Sequence, residues 1–154
     1  MSDPIFKFQS SKEHYTADAC VVWCFDDRFY KLLKAFGKEE GWGNIDLVKL
    51  AGGAKALAAG PSPERDVVLG QIKASIRLHN TNKVILMNHC DCGAYGGSKH
   101  FAGREAEHEY QNDQLMTAKH FLEQELPQGF TILCYLADFD GLHPVEADAL
   151  TVGA

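Results

Sequence analysis

The chain has no apolar run long enough to cross a membrane; runs such as Ala19–Trp23 and Val84–Met87 are only strand-length. It also has no basic cluster. Its 15 Lys and Arg face 21 Asp and Glu, a net charge of −6, which argues against a nucleic-acid groove. The first residues, Met1-Ser2-Asp3-Pro4, lack the charged and apolar segments of a secretory leader. Without export the thiols are expected to stay reduced, and an odd five cysteines does not suit a complete set of internal disulfides. Metal binding or burial is the expected use of cysteine here, and the cytoplasm the expected location. Internal repeats, low-complexity tracts and interdomain linkers are missing.

What is present suits one folded domain with a substantial core: 154 residues, 45% apolar and 23% charged. A single domain over 1–154 is expected. Residues 1–18 read as a polar arm, with Ile5, Phe6 and Phe8 available to dock on a neighbour.

Four strands are expected. Cys20 to Cys24 and Val84 to Met87 are continuous apolar runs, the mark of buried strands. Ile45 to Leu50 and Phe130 to Leu136 are the other two. Between them, Phe29, Leu32, Leu33 and Phe36 recur at helical spacing. Ala54 to Ala59 reads as a helical turn. Ser62 and Pro63 mark a helix start, cap then first position, with Val67, Val68, Ile72, Ile76 and His79 on its apolar face. Arg104 to Leu126 is a long helix whose apolar positions begin sparsely at Tyr110 and thicken from Leu115. Leu142 to Ala154 is a tail that adds an edge strand or packs on a partner. Strand, helix and strand in this rhythm form right-handed crossovers and parallel pairs, so the expected class is α/β: a small, mostly parallel sheet flanked by helices.

Two strand ends carry chemistry. The first apolar strand runs into Cys24-Phe25-Asp26-Asp27-Arg28. Alternate residues of an extended segment share a face, so Cys24, Asp26 and Arg28 point one way if the extended backbone persists. Taken alone, this is equally a core cysteine followed by a charged turn. The third strand ends in Asn88-His89-Cys90-Asp91-Cys92-Gly93. Soft ligands thus sit at the carboxyl ends of two buried strands, where open α/β sheets place their sites.

Cys24-x-Asp26-x-Arg28 followed by His89-x-x-Cys92-Gly93 resembles the signature of the β-class carbonic anhydrases. The resemblance is good from about Ala19 to Gly97 and looser elsewhere. It implies strand order 2-1-3-4, which brings Cys24 beside His89 and Cys92. It implies one Zn2+ per chain held by Cys24, His89 and Cys92, with zinc-activated hydroxide hydrating CO2 to bicarbonate. Two thiolates and an imidazole suit zinc, and three ligands leave a position open. Asp26 would orient the attacking group and Arg28 would hold Asp26; in a closed state Asp26 would itself become the fourth ligand. The resemblance further implies a homodimer or higher homo-oligomer. Ala51, Gly52 and Gly53 follow the second strand where many members carry Arg-Asn-Ala-Gly beside the pocket; here Lys49 and Leu50 replace the Arg and Asn. These residues read either as a substrate pocket or as a strand-to-helix turn. An upstream Gln-containing strand used by many members is not found.

Three activities stay open on this scaffold: CO2 hydration, which is favoured; hydrolysis of carbonyl sulfide or carbon disulfide; and zinc binding without catalysis, the metal closed by Asp26. Cys90 is a rival to Cys92 in a Cys-x-Cys pair, but Cys92 matches the motif. Cys20 and Cys134 are expected in the core. Asp27 reads as a solvated residue or cap. Asp91 is a candidate to orient a ligand. Phe36, Trp42, Tyr95 and Phe101 are candidate pocket walls. His100, His108, His143 and Tyr95 are the candidates for proton release, with no role assigned to any.

Overall fold

The computed structural model describes residues 2–146. Its strands are β1 (Ala19–Trp23), β2 (Ile45–Lys49), β3 (Lys83–His89), β4 (Thr131–Asp138) and β5 (Gly141–Val145). Its helices are α1 (Tyr30–Glu39), α2 (Lys55–Ala58), α3 (Pro63–His79) and α4 (Arg104–Glu125). One sheet contains all five strands in the order β2-β1-β3-β4-β5. The first four are parallel, and β5 returns antiparallel to β4. The tail therefore supplies an edge strand as far as Val145; residues 147–154 lie outside the described part of the chain.

β1 is buried at every position, and β3 at all but its first, as continuous apolar runs require of central parallel strands. Two apolar layers cover the sheet. On one face Ile72 of α3 and Leu115, Ala118 and Leu122 of α4 pack with Cys20, Val22, Leu86 and Cys134. On the other, Leu33 of α1 packs with Val21, Trp23, Ile85 and Met87. Cys20 and Cys134 are core residues.

Local sequence explains the helix ends. The Ser62 side chain accepts a hydrogen bond from the Arg65 N–H at 3.1 Å, and Pro63 stands in the first turn. α3 stops at Asn80 in the left-handed region. Its inward face is narrower than periodicity suggests: Val68 and Ile72 are buried, while Val67 is exposed. His79 leaves that face for Asp46, with its Nδ1 2.7 Å from a carboxylate oxygen and its ring stacked 4.2 Å from Tyr15.

Residues 2–18 form neither helix nor strand, and Ile5, Phe6 and Phe8 are exposed. Among the described residues no helix is long and apolar enough to cross a membrane. The register Cys20↔Val84, Val22↔Leu86 sets the carboxyl ends of β1 and β3 side by side.

Candidate metal centre

Cys24 follows directly on β1, and His89 is the last residue of β3. Cys92 comes one tight turn later. Asp91 makes that turn at φ 54°, a left-handed conformation that Asp tolerates better than most residues. The Cys92 carbonyl then accepts from the N–H groups of Tyr95 and Gly97, closing a compact loop. The three ligand atoms of Cys24, His89 and Cys92 lie within 4.8 Å of one another, and all three residues are buried.

The surroundings of His89 suit a metal ligand. The residue is 1% exposed and held between aromatic rings, with Phe29 at 4.8 Å and Trp23 at 5.8 Å. Its Nδ1 is 2.8 Å from the Cys90 carbonyl, which can only accept, so Nδ1 carries the proton. Nε2 is left with a lone pair. It is buried and has no hydrogen-bond partner. An orphaned acceptor of this kind costs stability unless something occupies it. Burial also lowers the pKa of His89, which keeps the ring neutral as a ligand must be. Burial pushes the Cys92 thiol up to about 11, a cost that a dication reverses by stabilising the thiolate. Two sulfurs and one imidazole nitrogen are the donor set of a zinc site, and they fit here.

Beside them the extended backbone does not persist. Asp27–Phe29 is a turn of 3-10 helix capped by Asp26, whose side chain accepts from the Arg28 N–H at 3.0 Å. Asp26 and Arg28 meet through this turn instead of by strand alternation. Arg28 grips the carboxylate with Nη2 at 2.7 Å and Nε at 3.0 Å. That pairing holds Asp26 down at about 2, firmly ionised. The free edge of the guanidinium goes to Asp91, with Nη1 2.9 Å from Oδ2 and Nη2 3.0 Å from the backbone carbonyl. Asp91 therefore orients Arg28 and not a metal ligand. Asp27 is exposed.

Ala51, Gly52 and Gly53 form the turn from β2 into α2, and it lies against the site. Gly53 has φ 56°, and a Cβ there would stand 2.3 Å from the Met87 carbonyl and 3.4 Å from the Cys24 nitrogen. Gly52, at φ 84°, would press a Cβ to 3.1 Å from that of Ala94. Only glycine lets this turn approach both strand ends.

Of the four aromatic candidates, Tyr95 and Phe101 pack with Cys24 and Cys92. Phe36 and Trp42 instead meet edge to face, apart from the two thiols, with Phe36 also edge-on to Tyr135. Tyr95 is no surface group. It is buried, and its hydroxyl accepts from Asn88 Nδ2 at 3.1 Å.

Three polar residues of the site escaped the sequence reading. Asn88 is buried, accepts from the Ala54 N–H at 2.9 Å and donates to Gln111 at 2.8 Å. Glu107 is buried and accepts from the Asp91 N–H at 2.7 Å and the Ser98 hydroxyl at 2.6 Å. Gln111 is fully buried. Glu107 and Gln111 continue the stripe of Leu115, Ala118 and Leu122 at helical spacing, and that spacing was the available signal. Tyr110, taken as the first apolar position, lies half-exposed against Tyr95 and Phe101. Cys90 is absent from the Cys24–His89–Cys92 group; it meets His108 and Asp138.

A family model described as "Putative carbonic anhydrase" matches residues 14–140, and the chain belongs to that family. An uncharacterised protein of Rickettsia bellii is 28% identical over 155 residues, covering 90% of this chain and 89% of its own. A β-carbonic anhydrase of Trichomonas vaginalis shares the fold with TM-score 0.58 at 15% identity, over 90% of this chain and 87% of its own. A carbon disulfide hydrolase shares it with TM-score 0.57 at 14% identity, over 86% and 81%.

Proposed function

We propose that this protein is a zinc-dependent carbonic anhydrase that hydrates CO2 to bicarbonate reversibly. The observation that carries the reading is the buried, unpartnered Nε2 of His89, gathered with the Cys24 and Cys92 thiols beside an ion-paired Asp26. Zinc on those three residues would supply a Lewis acid that makes water a nucleophile near neutral pH. The chain's own residues do the rest. Asp26, kept ionised by Arg28, accepts a hydrogen bond from the attacking water and so fixes its orientation. Arg28 in turn is braced by Asp91. Tyr95 and Phe101 supply an apolar wall that suits an uncharged, linear substrate. Ala51, Gly52 and Gly53 bring backbone close to the same place.

The grip of Arg28 on both Asp26 oxygens favours a state in which Asp26 stays off the metal. The fold likeness to a carbon disulfide hydrolase keeps that reaction as the second reading. Turnover of CO2, carbonyl sulfide and carbon disulfide, measured side by side on zinc-loaded protein, decides between them. CO2 turnover well above the other two supports the anhydrase. Turnover of the sulfur compounds alone moves the assignment to the hydrolase.

We infer a homo-oligomer as well, supported by the unpaired edge of β2 with exposed Leu47 and by Ile5, Phe6 and Phe8 on the arm. Sedimentation at the mass of one chain would contradict it.

A further inference from the structure

We propose that the chain holds a second transition-metal site, made by Cys90, His108 and Asp138. A thiol sulfur, an imidazole nitrogen and a carboxylate oxygen from these residues lie within 4.8 Å of one another. Tetrahedral zinc with bonds of about 2.0 to 2.3 Å sets its ligands roughly 3.3 to 3.8 Å apart, so a small contraction suffices. The three residues come from separate elements: the end of β3, the second turn of α4 and the end of β4. Successive residues at the end of β3 point to opposite sides of the sheet, which sends His89 to one centre and Cys90 to the other. Cys90 is 2% exposed and reaches the cluster from the core side.

Further ligands are at hand. Asp138 also belongs to a group with Asp140 and His143 whose ligand atoms again lie within 4.8 Å of one another. The rings of His108 and His143 are 5.4 Å apart. A cavity of about 560 Å³, lined in part by Arg104, His108, Asp140 and His143, gives an ion its way in.

A cation already bridges the two carboxylates. Arg104 Nε donates to Asp138 at 2.6 Å and Nη2 to Asp140 at 2.5 Å. Its side chain is 60% exposed and can withdraw to solvent without disturbing the core. A dication that took its place would gain the thiolate and the imidazole, which a guanidinium cannot use. His108 Nε2, 2.7 Å from Asp138 Oδ2, would give up its proton to ligate. Sulfur, nitrogen and carboxylate oxygen together select zinc over magnesium or calcium. Such a metal ties β3, β4 and α4 together and needs nothing from the Cys24–His89–Cys92 centre.

The test counts zinc per chain after equilibration with buffered free zinc in the wild type, Cys24→Ala, His108→Ala and Cys90→Ala. Two equivalents are expected in the wild type and one in each variant. Zinc should also raise the Tm of Cys24→Ala, and this rise should vanish in Cys24→Ala/His108→Ala. A wild type with one equivalent, lost in Cys24→Ala and kept in His108→Ala, overturns the second site and leaves the first. Two equivalents retained in both His108→Ala and Cys90→Ala overturn it equally. A single equivalent lost only in His108→Ala supports this site and overturns the first. His108 is a partly exposed helix residue, so its comparison with the wild type stands even if Cys24→Ala fails to fold.

Discussion

His89 Nε2 stands 3.8 Å from Asp26 Oδ2, with no hydrogen bond between them. The lone pair of the imidazole and the ionised carboxylate thus face a common space bounded by two thiols. Three of these groups match a zinc ligand set. The fourth is positioned to accept a hydrogen bond from whatever occupies the space.

Removing a ligand should empty that space of metal. Cys24→Ala and His89→Ala are expected to lose the zinc of this centre and CO2 turnover together. Because a second site is proposed, metal counts should be made in a His108→Ala background. Zinc retained there at full stoichiometry in Cys24→Ala would contradict the ligand assignment.

Gly53→Ala should destabilise the fold by roughly 2 to 4 kcal/mol, combining left-handed strain with overpacking. Its Cβ would meet the Met87 carbonyl at 2.3 Å. Gly52→Ala should cost less, because its nearest neighbours are the side-chain carbons of Lys55 and Ala94, at 3.0 and 3.1 Å. Urea denaturation of the two variants checks the order, and equal midpoints would contradict it.

Glu107→Ala should loosen the Asp91 turn, because the Asp91 N–H loses its acceptor. An unpaired donor costs about 1 to 3 kcal/mol when fully buried, and less at this partly buried N–H. Arg28 depends on Asp91, so kcat should fall while zinc content holds. Glu107→Gln keeps one acceptor oxygen and should recover part of the loss. Equal kcat in the wild type and Glu107→Ala would remove Glu107 from the chain of support.

Acid should weaken the metal-free protein through Asp26. Its folded pKa, about 2, lies below the ordinary 3.8, so the ionised form is favoured by folding. That stabilisation is fully present above about pH 4 and is lost as pH falls through about 2. Asp138, lowered by its partners His108 and Arg104 against the cost of burial, acts in the same direction. Denaturation midpoints from pH 5 to pH 2 should therefore decline less steeply in Asp26→Asn than in the wild type. Parallel curves would contradict the ion pair's contribution.

The central strands were legible because β1 and β3 are buried on both faces and so read as unbroken apolar runs. β5 was less so. It is an edge strand that contains Pro144, and proline, which cannot donate to the ladder, is tolerated in a sheet chiefly at such an edge. The grouping of Cys24, His89 and Cys92 was legible through the family resemblance, since residue type and strand-end position alone left Cys90 as a rival to Cys92. The way Asp26 meets Arg28 was not, because a capped 3-10 turn replaces extended alternation. Glu107 and Gln111 were hidden for another reason. A buried polar residue breaks the hydrophobic pattern that marks a helix face, and only its partners, here Asp91, Ser98 and Asn88, show why it is inside.

The most direct test of the account is stopped-flow CO2 hydration by zinc-loaded wild type and Asp26→Asn, from about pH 7 to 9. The account predicts turnover that rises with pH in the wild type, and a loss of roughly 100-fold in Asp26→Asn with zinc retained. A zinc-loaded wild type without turnover, or an Asp26→Asn variant as active as the wild type, would contradict it.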